Sequence, residues 1–323
     1  MDHALDDSVL ELARAPASEL RAAVLNGLAQ LQKTIPSKFF YDTEGSRLFE
    51  RICALPEYYP TRTETAILRA HASAIAAALP PRVVLVEYGS GASVKIRLLL
   101  DALDRPAAYV PIDISGSHLR AAASVLAFDY PAVTVIPVCA DFTRPTALPP
   151  GLPEGARVGF FPGSTIGNFH PPEARRLLRS FRRQLGAGGR LLIGIDLKKD
   201  PAILHAAYND AAGVTAAFNR NLLTRINREL DASFDLAAFE HVAFWNPPAG
   251  RMEMHLRSRI RQTVFVAGRP FRFAAGETIH TENSYKYSVK EFTALGDAAG
   301  WATASLWTDP KRLFSVLLLA DEG

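Results

Sequence analysis

Cysteine is nearly absent from this chain. Cys53 and Cys139 are the only two in 323 residues, and they stand far apart. That excludes a disulfide scaffold and a Cys-x-x-Cys thiolate metal site, and it suits a reducing compartment. No apolar run approaches the roughly 20 residues that a membrane-spanning helix needs. The acidic start, Met1 to Asp7, has no apolar signal core, so a soluble, cytoplasmic protein is expected. Neither sign of charge dominates. Against 36 Lys and Arg stand 33 Asp and Glu, a formal net charge of +3. No basic run is interleaved with aromatics, so neither nucleic acid nor membrane is an expected partner. Arg175-Arg176 and Arg182-Arg183 fall at helical spacing around Leu177, Leu178 and Phe181, as on a solvated helix face. No cluster of His, Cys and Asp stands out as a ligand set, and no metal is expected.

Apolar residues are plentiful, at 48% against 21% charged. That is enough for an ordinary core plus a second unit. Residues 82–196 alternate near-continuous apolar strands with helical stretches. The strands are Val83–Glu87, Tyr109–Asp113, Val133–Val138, Val158–Phe161 and Leu191–Asp196. Such strands predict a parallel sheet covered on both faces, an α/β fold of Rossmann-like type. After Leu197 the pattern changes. Residues 201–230 read as helical, with Phe218, Leu222, Ile226 and Leu230 recurring every four positions. Strand-like pieces follow at Ala243–Trp245, Arg251–Arg261, Thr263–Val266 and Glu277–Tyr285, with Gly268-Arg269-Pro270 read as a turn. A helix at Val289–Ala299 and strands at Thr303–Thr308 and Phe314–Ala320 return to the earlier style. The α/β domain is therefore expected at 62–196 and 287–323, with an α+β substrate domain formed by 1–61 and 197–286.

The strand Val83–Glu87 runs into Gly89-Ser90-Gly91, a turn at the carboxyl end of a parallel strand, where nucleotides commonly bind. The run continues Ala92-Ser93-Val94, so the third glycine of a dinucleotide fingerprint is missing, which disfavours NAD. Glu87, Asp113 and Asp141-Phe142 close three successive strands. An acid at the second can accept from both ribose hydroxyls. At the third, an acid and an aromatic suit the adenine amino group and ring. The plainer alternative is that each acid caps the helix after it. Three in register beside a Gly-x-Gly turn favour an adenosine ligand without phosphates, and S-adenosylmethionine, with its sulfonium and ammonium, complements an acidic pocket.

Several long motifs carry a closer resemblance. These are Lys38-Phe39-Phe40-Tyr41-Asp42, the run Leu55 to Glu64 (Leu-Pro-Glu-Tyr-Tyr-Pro-Thr-Arg-Thr-Glu), Glu87 to Gly91, Phe161 to Phe169 (Phe-Pro-Gly-Ser-Thr-Ile-Gly-Asn-Phe), Tyr208-Asn209-Asp210 and Thr278 to Tyr285. Over nearly its whole length the chain resembles the histidine-specific Nα-methyltransferases, which form trimethylhistidine (hercynine) for ergothioneine biosynthesis. The resemblance implies that Gly89, Lys95, Asp113, Asp141 and Phe142 contact S-adenosylmethionine, with Lys95 on the methionine carboxylate. It implies Asn168 and Tyr208 on the carboxylate of L-histidine, Tyr41 near the reacting amine, and Tyr58, Glu282 and Ser284 around the imidazole. It implies three rounds of methylation; a monomer is also expected. Glu282 and Ser284, two residues apart, would share one strand face. So would Met252 and Met254, which read as core filling. Two alternatives stay open: methylation of another amino acid such as a tryptophan derivative, and a non-catalytic sensor of S-adenosylmethionine or an amino acid. Retention of both Glu282 and Ser284 favours histidine, because an indole offers a carboxylate only one N–H.

Overall fold

The computed structural model describes residues 10–11, 17–91, 94–144 and 146–321. The acidic Met1 to Asp7 and the Ala92-Ser93 pair after the glycine turn lie outside them. The strands are β1 (Leu10–Glu11), β2 (Lys33–Thr34), β3 (Val84–Tyr88), β4 (Ala108–Asp113), β5 (Thr134–Val135), β6 (Val138–Cys139), β7 (Arg157–Phe161), β8 (Arg190–Asp196), β9 (Phe239–Asn246), β10 (Arg251–Ser258), β11 (Gln262–Val266), β12 (Arg269–Phe273), β13 (Thr278–Tyr285), β14 (Trp301–Thr308) and β15 (Phe314–Asp321). The helices are α1 (Ala17–Leu28), α2 (Thr43–Cys53), α3 (Tyr59–Ala77), α4 (Val94–Ala102), α5 (Gly116–Asp129), α6 (Pro171–Leu185), α7 (Pro201–Tyr208), α8 (Val214–Leu230) and α9 (Val289–Asp297).

Nine strands form one sheet in the order β1-β6-β4-β3-β7-β8-β15-β14, with β5 beside β4. β6, β4, β3, β7 and β8 run parallel, and β15 enters antiparallel to β8. Every residue of β3 is buried, as a strand covered on both faces must be. One face packs on Ile67, Leu68 and Ile75 of α3 and Leu99 and Leu100 of α4. The other packs on Leu177, Leu178 and Phe181 of α6 and Phe292 of α9. This is the Rossmann-like architecture that the sequence predicts.

A second sheet, β2-β13-β10-β9, backs onto α1, α2 and α8. Phe218, Leu222, Ile226 and Leu230 all face this core, as do Met252 and Met254. In the β10–β13 pair Met252 lies opposite Ser284 and Met254 opposite Glu282, and a bulge shifts the register directly after, between Met254 and His255. Bulges of this kind re-aim side chains beside functional sites.

Several expectations need correction. The strand expected at Val133–Val138 is two short pieces, because Pro137 has no N–H to give the ladder. The helix expected over 201–230 is two helices; the Asp210 carboxylate accepts the amide N–H groups of Val214 and Thr215 at 2.8 Å each and starts the second afresh. The strand read over Arg251–Arg261 stops at Ser258. Arg269-Pro270, read as a turn, begins β12, whose sheet has only two strands and so tolerates proline. Leu10–Glu11, expected with the substrate unit, instead pairs with β6 at the edge of the large sheet.

Candidate active site

A cleft of about 1390 Å³ opens beyond the carboxyl ends of β3, β4 and β6, between the large sheet and the inserted sheet. Gly89, Lys95, Asp113, Asp141, Phe142 and, on the loop after β7, Asn168 line it from the large-sheet side, and Tyr41, Tyr58 and Glu282 from the other. A small inner chamber of about 50 Å³ adjoins it, where Tyr208 and Ser284 join Tyr41, Tyr58, Asn168 and Glu282. All eleven residues singled out from the sequence therefore border one or other of two neighbouring cavities that share walls.

Gly89 and Gly91 both adopt positive φ, at 75° and 43°, the backbone that a tight turn against a ligand requires. Glu87, at the end of β3, accepts the Tyr109 hydroxyl, and burial pushes its carboxyl up to about 8 against that bond and the nearby Lys95. Burial likewise raises Asp113, whose Oδ1 accepts the Ser115 amide at 2.8 Å. Burial would raise Asp141 too, but Lys38 Nζ at 2.9 Å and Thr143 outweigh it and hold the acid low. Asp113 and Asp141 each fix the turn that follows them, and both still face the cleft.

Two lysines temper the acidity. Lys38 bridges Asp141 and Glu19, tying the N-terminal helix across the cleft. Lys95 pairs with the wholly buried Glu64, which also accepts the Gly163 amide. Neither pairing was read from the sequence. The loop after β7 is shaped by close approach: a Cβ on Gly167 would stand 2.7 Å from the Tyr285 carbonyl oxygen. That contact, rather than a glycine-only dihedral, is why Gly precedes Asn168. Ser164 holds a left-handed φ of 56° while its Oγ accepts the Asp196 amide.

Around the inner chamber, Tyr41, Phe49 and Tyr58 form a run of edge contacts, with centroids 5.6 Å and 6.3 Å apart. Phe49, on α2, borders both spaces and was missed, because nothing marks one helical Phe as a pocket residue. Burial and Glu282 raise the Tyr41 hydroxyl well above its usual range. Burial lifts Glu282 to about 7, with Lys286 pulling the other way. Lys286 was also missed, although it continues the alternation of Glu282 and Ser284 along one strand face.

The family model described as "Histidine-specific methyltransferase, SAM-dependent" matches residues 20–321. This chain belongs to the histidine-specific, S-adenosylmethionine-dependent methyltransferase family. It is 45% identical to the histidine N-alpha-methyltransferase of Mycolicibacterium smegmatis over 95% of this chain and 96% of that one. It is 31% identical to ergothioneine biosynthesis protein 1 of Neurospora crassa over 85% of this chain, which corresponds to 32% of that longer protein. A possible exported protein from Bordetella parapertussis has a similar fold, with a TM-score of 0.52, 14% identity, and 86% and 79% of the two chains covered. Among the described residues, no helix is long and apolar enough to cross a membrane.

For a member of this family the donor set fits S-adenosylmethionine. Acids at three strand ends, the half-buried ring of Phe142 and a positive-φ glycine turn suit adenosine. One expectation needs amending. No His/Cys/Asp cluster was visible in the sequence, yet β10 and β13 bring Glu253, His255 and His280 within 4.8 Å of one another. Arg251 and Asn246 already occupy Glu253. The two imidazole rings are stacked 10° from parallel, so their in-plane lone pairs do not converge on one ion.

Proposed function

We propose that this protein transfers methyl groups from S-adenosylmethionine to the α-amino nitrogen of L-histidine, yielding Nα,Nα,Nα-trimethyl-L-histidine (hercynine), the first step of ergothioneine biosynthesis. The observation that carries the reading is the inner chamber. It sets a carboxylate and a hydroxyl, Glu282 and Ser284, against Asn168 and Tyr208 within one small space next to the cofactor cleft. Residues 62–196 with 287–323 form the cofactor unit in this proposal, and 197–286 with most of the N-terminal segment form the substrate unit.

Gly89, Asp113, Asp141 and Phe142 would hold the adenosine, and Lys95 the methionine carboxylate. Bound there, S-adenosylmethionine supplies an electrophilic methyl carried on a sulfonium, a leaving group already activated by its charge. The protein's own task is then alignment and exclusion of water. Asn168 and Tyr208 hold the substrate carboxylate, while Tyr58, Glu282 and Ser284 hold the imidazole, and this two-point grip fixes the α-nitrogen beside Tyr41. Tyr41 keeps its proton at neutral pH, so it orients the amine and does not act as its base; the ammonium proton leaves to water. Phe49 and the two tyrosines offer aromatic surface to a nitrogen that becomes permanently cationic, replacing part of its hydration. No metal takes part in this account, and one chain supplies every residue used.

The test is to incubate purified protein with S-adenosylmethionine and each common amino acid and to weigh the products. Three added methyls on histidine alone are expected. A methylated tryptophan, or no product at all, overturns the proposal.

A further inference from the structure

We infer that Lys286 is a positioning residue for the acceptor: its ammonium orients the Tyr208 and Ser284 hydroxyls as donors into the inner chamber, so that the site selects a neutral ring with one unprotonated nitrogen. This deepens the histidine reading and rests on it.

Lys286 is only 3% exposed. Its Nζ stands 2.6 Å from Asp196 Oδ2, 2.7 Å from Ser284 Oγ and 3.1 Å from the Tyr208 hydroxyl. An ammonium has three protons and no lone pair, and these three contacts use all three. Each hydroxyl oxygen therefore accepts from the lysine; the two hydroxyls also lie within reach of each other, and a ligand in the chamber can draw both protons to itself. For Tyr208 the fitting partner is a carboxylate oxygen. For Ser284 it is the lone pair of an imidazole nitrogen, while Glu282, two residues away on the same face, accepts the N–H of the other nitrogen. A doubly protonated ring would set N–H against O–H. An indole or pyrrole would offer the serine proton no acceptor, leaving it only the neighbouring Tyr208 oxygen.

Asp196 makes this arrangement possible. Burial alone would lower the Lys286 pKa, but the Asp196 carboxylate outweighs it and keeps the ammonium charged. Asp196 also holds Lys199 and accepts from the Tyr59 hydroxyl at 2.8 Å, so it keeps partners if Lys286 is replaced. Facing Glu282 across the chamber are Tyr41, ahead of α2, Tyr58, ahead of α3, and Tyr208, at the end of α7. Lys286 is the cation acting on it.

The experiment compares the full-length protein with Lys286→Met, Ser284→Ala and the double variant. If wild-type protein fails to methylate histidine, the underlying reading falls and this inference falls with it. If wild type is active, Lys286→Met should raise KM for histidine by about tenfold or more, with the S-adenosylmethionine Kd changed less than about twofold by calorimetry. Ser284→Ala should cost about tenfold in kcat/KM in the wild-type background and much less beside Lys286→Met, because the two act as one unit. The acid limb of kcat/KM should also move to higher pH in Lys286→Met, since the charge that eases Glu282 ionisation is gone. Full additivity with an unmoved acid limb overturns the inference and leaves the histidine reading intact. A second measurement needs no variant. Nitrogen-15 NMR of labelled histidine on the wild-type protein near pH 6.5, where free histidine is about half protonated, should show a neutral bound ring. A bound ring protonated on both nitrogens overturns the inference.

Discussion

Glu64 on α3 and Lys95 on α4 form an ion pair at the back of the cofactor cleft, and the same carboxylate accepts the Gly163 amide from the loop that carries Asn168. Glu64 is wholly buried. Lys95→Ala should therefore do two things. It should weaken S-adenosylmethionine binding, and it should strand a buried charge at a cost of about 3 kcal/mol or more in stability. Adding Glu64→Gln to Lys95→Ala should restore much of the lost Tm without restoring cofactor affinity. Calorimetry and thermal melts on the two variants separate the effects; recovery of both together would show that Lys95 has no direct part in binding.

The cleft and the chamber should be separable by ligand. Asp113→Ala is expected to reduce S-adenosylmethionine affinity about tenfold or more, as loss of charge-assisted hydrogen bonds does, and to leave histidine binding nearly unchanged. Glu282→Ala should do the reverse. Equal losses for both ligands in titration calorimetry would contradict the division of the site.

Glu282, held near 7, makes both activity and stability depend on pH. If its ionised form accepts the imidazole N–H, kcat/KM for histidine falls as pH drops below about 7, and Glu282→Gln removes the enzyme's share of that limb, leaving only the fall set by protonation of the free imidazole at about 6.5. Stability has the opposite sense. A carboxyl raised from 4.5 to about 7 favours the folded state in its protonated form, so its contribution is complete below 4.5 and is lost as pH rises through 7. Glu282→Gln should thus stabilise the protein at pH 8, by up to about 3 kcal/mol, and hardly at all at pH 4. Melting curves at the two pH values check the sign.

The large sheet was legible because its strands are buried on both faces and read as unbroken apolar runs. The acids at their ends could be placed because a strand's last residue is fixed by its length. What escaped was set by contacts between distant segments. Nothing local marks Lys38 as the partner of Asp141, or Glu64 as the partner of Lys95. The Glu253–His255–His280 group exists only through the β10–β13 register. β12 was missed because Arg269-Pro270 has turn composition, and an isolated two-stranded sheet imposes little pattern. Lys286 was within reach, since counting by twos from Glu282 and Ser284 arrives at it.

The chain leaves the large sheet at Leu197 and comes back at Tyr287, and the two points are stitched side by side: Leu197 bridges Tyr287, and the Tyr287 amide donates to the Asp196 carbonyl. Ninety residues, among them the strand that carries Glu282 and Ser284, thus leave and re-enter the large sheet through one doorway, while the N-terminal segment joins the inserted sheet on its own through β2. On the proposed reading, what passes through that doorway can be remodelled, strand face by strand face, without disturbing the groove assigned to the methyl donor. New acceptors then require only a new room, not a new house.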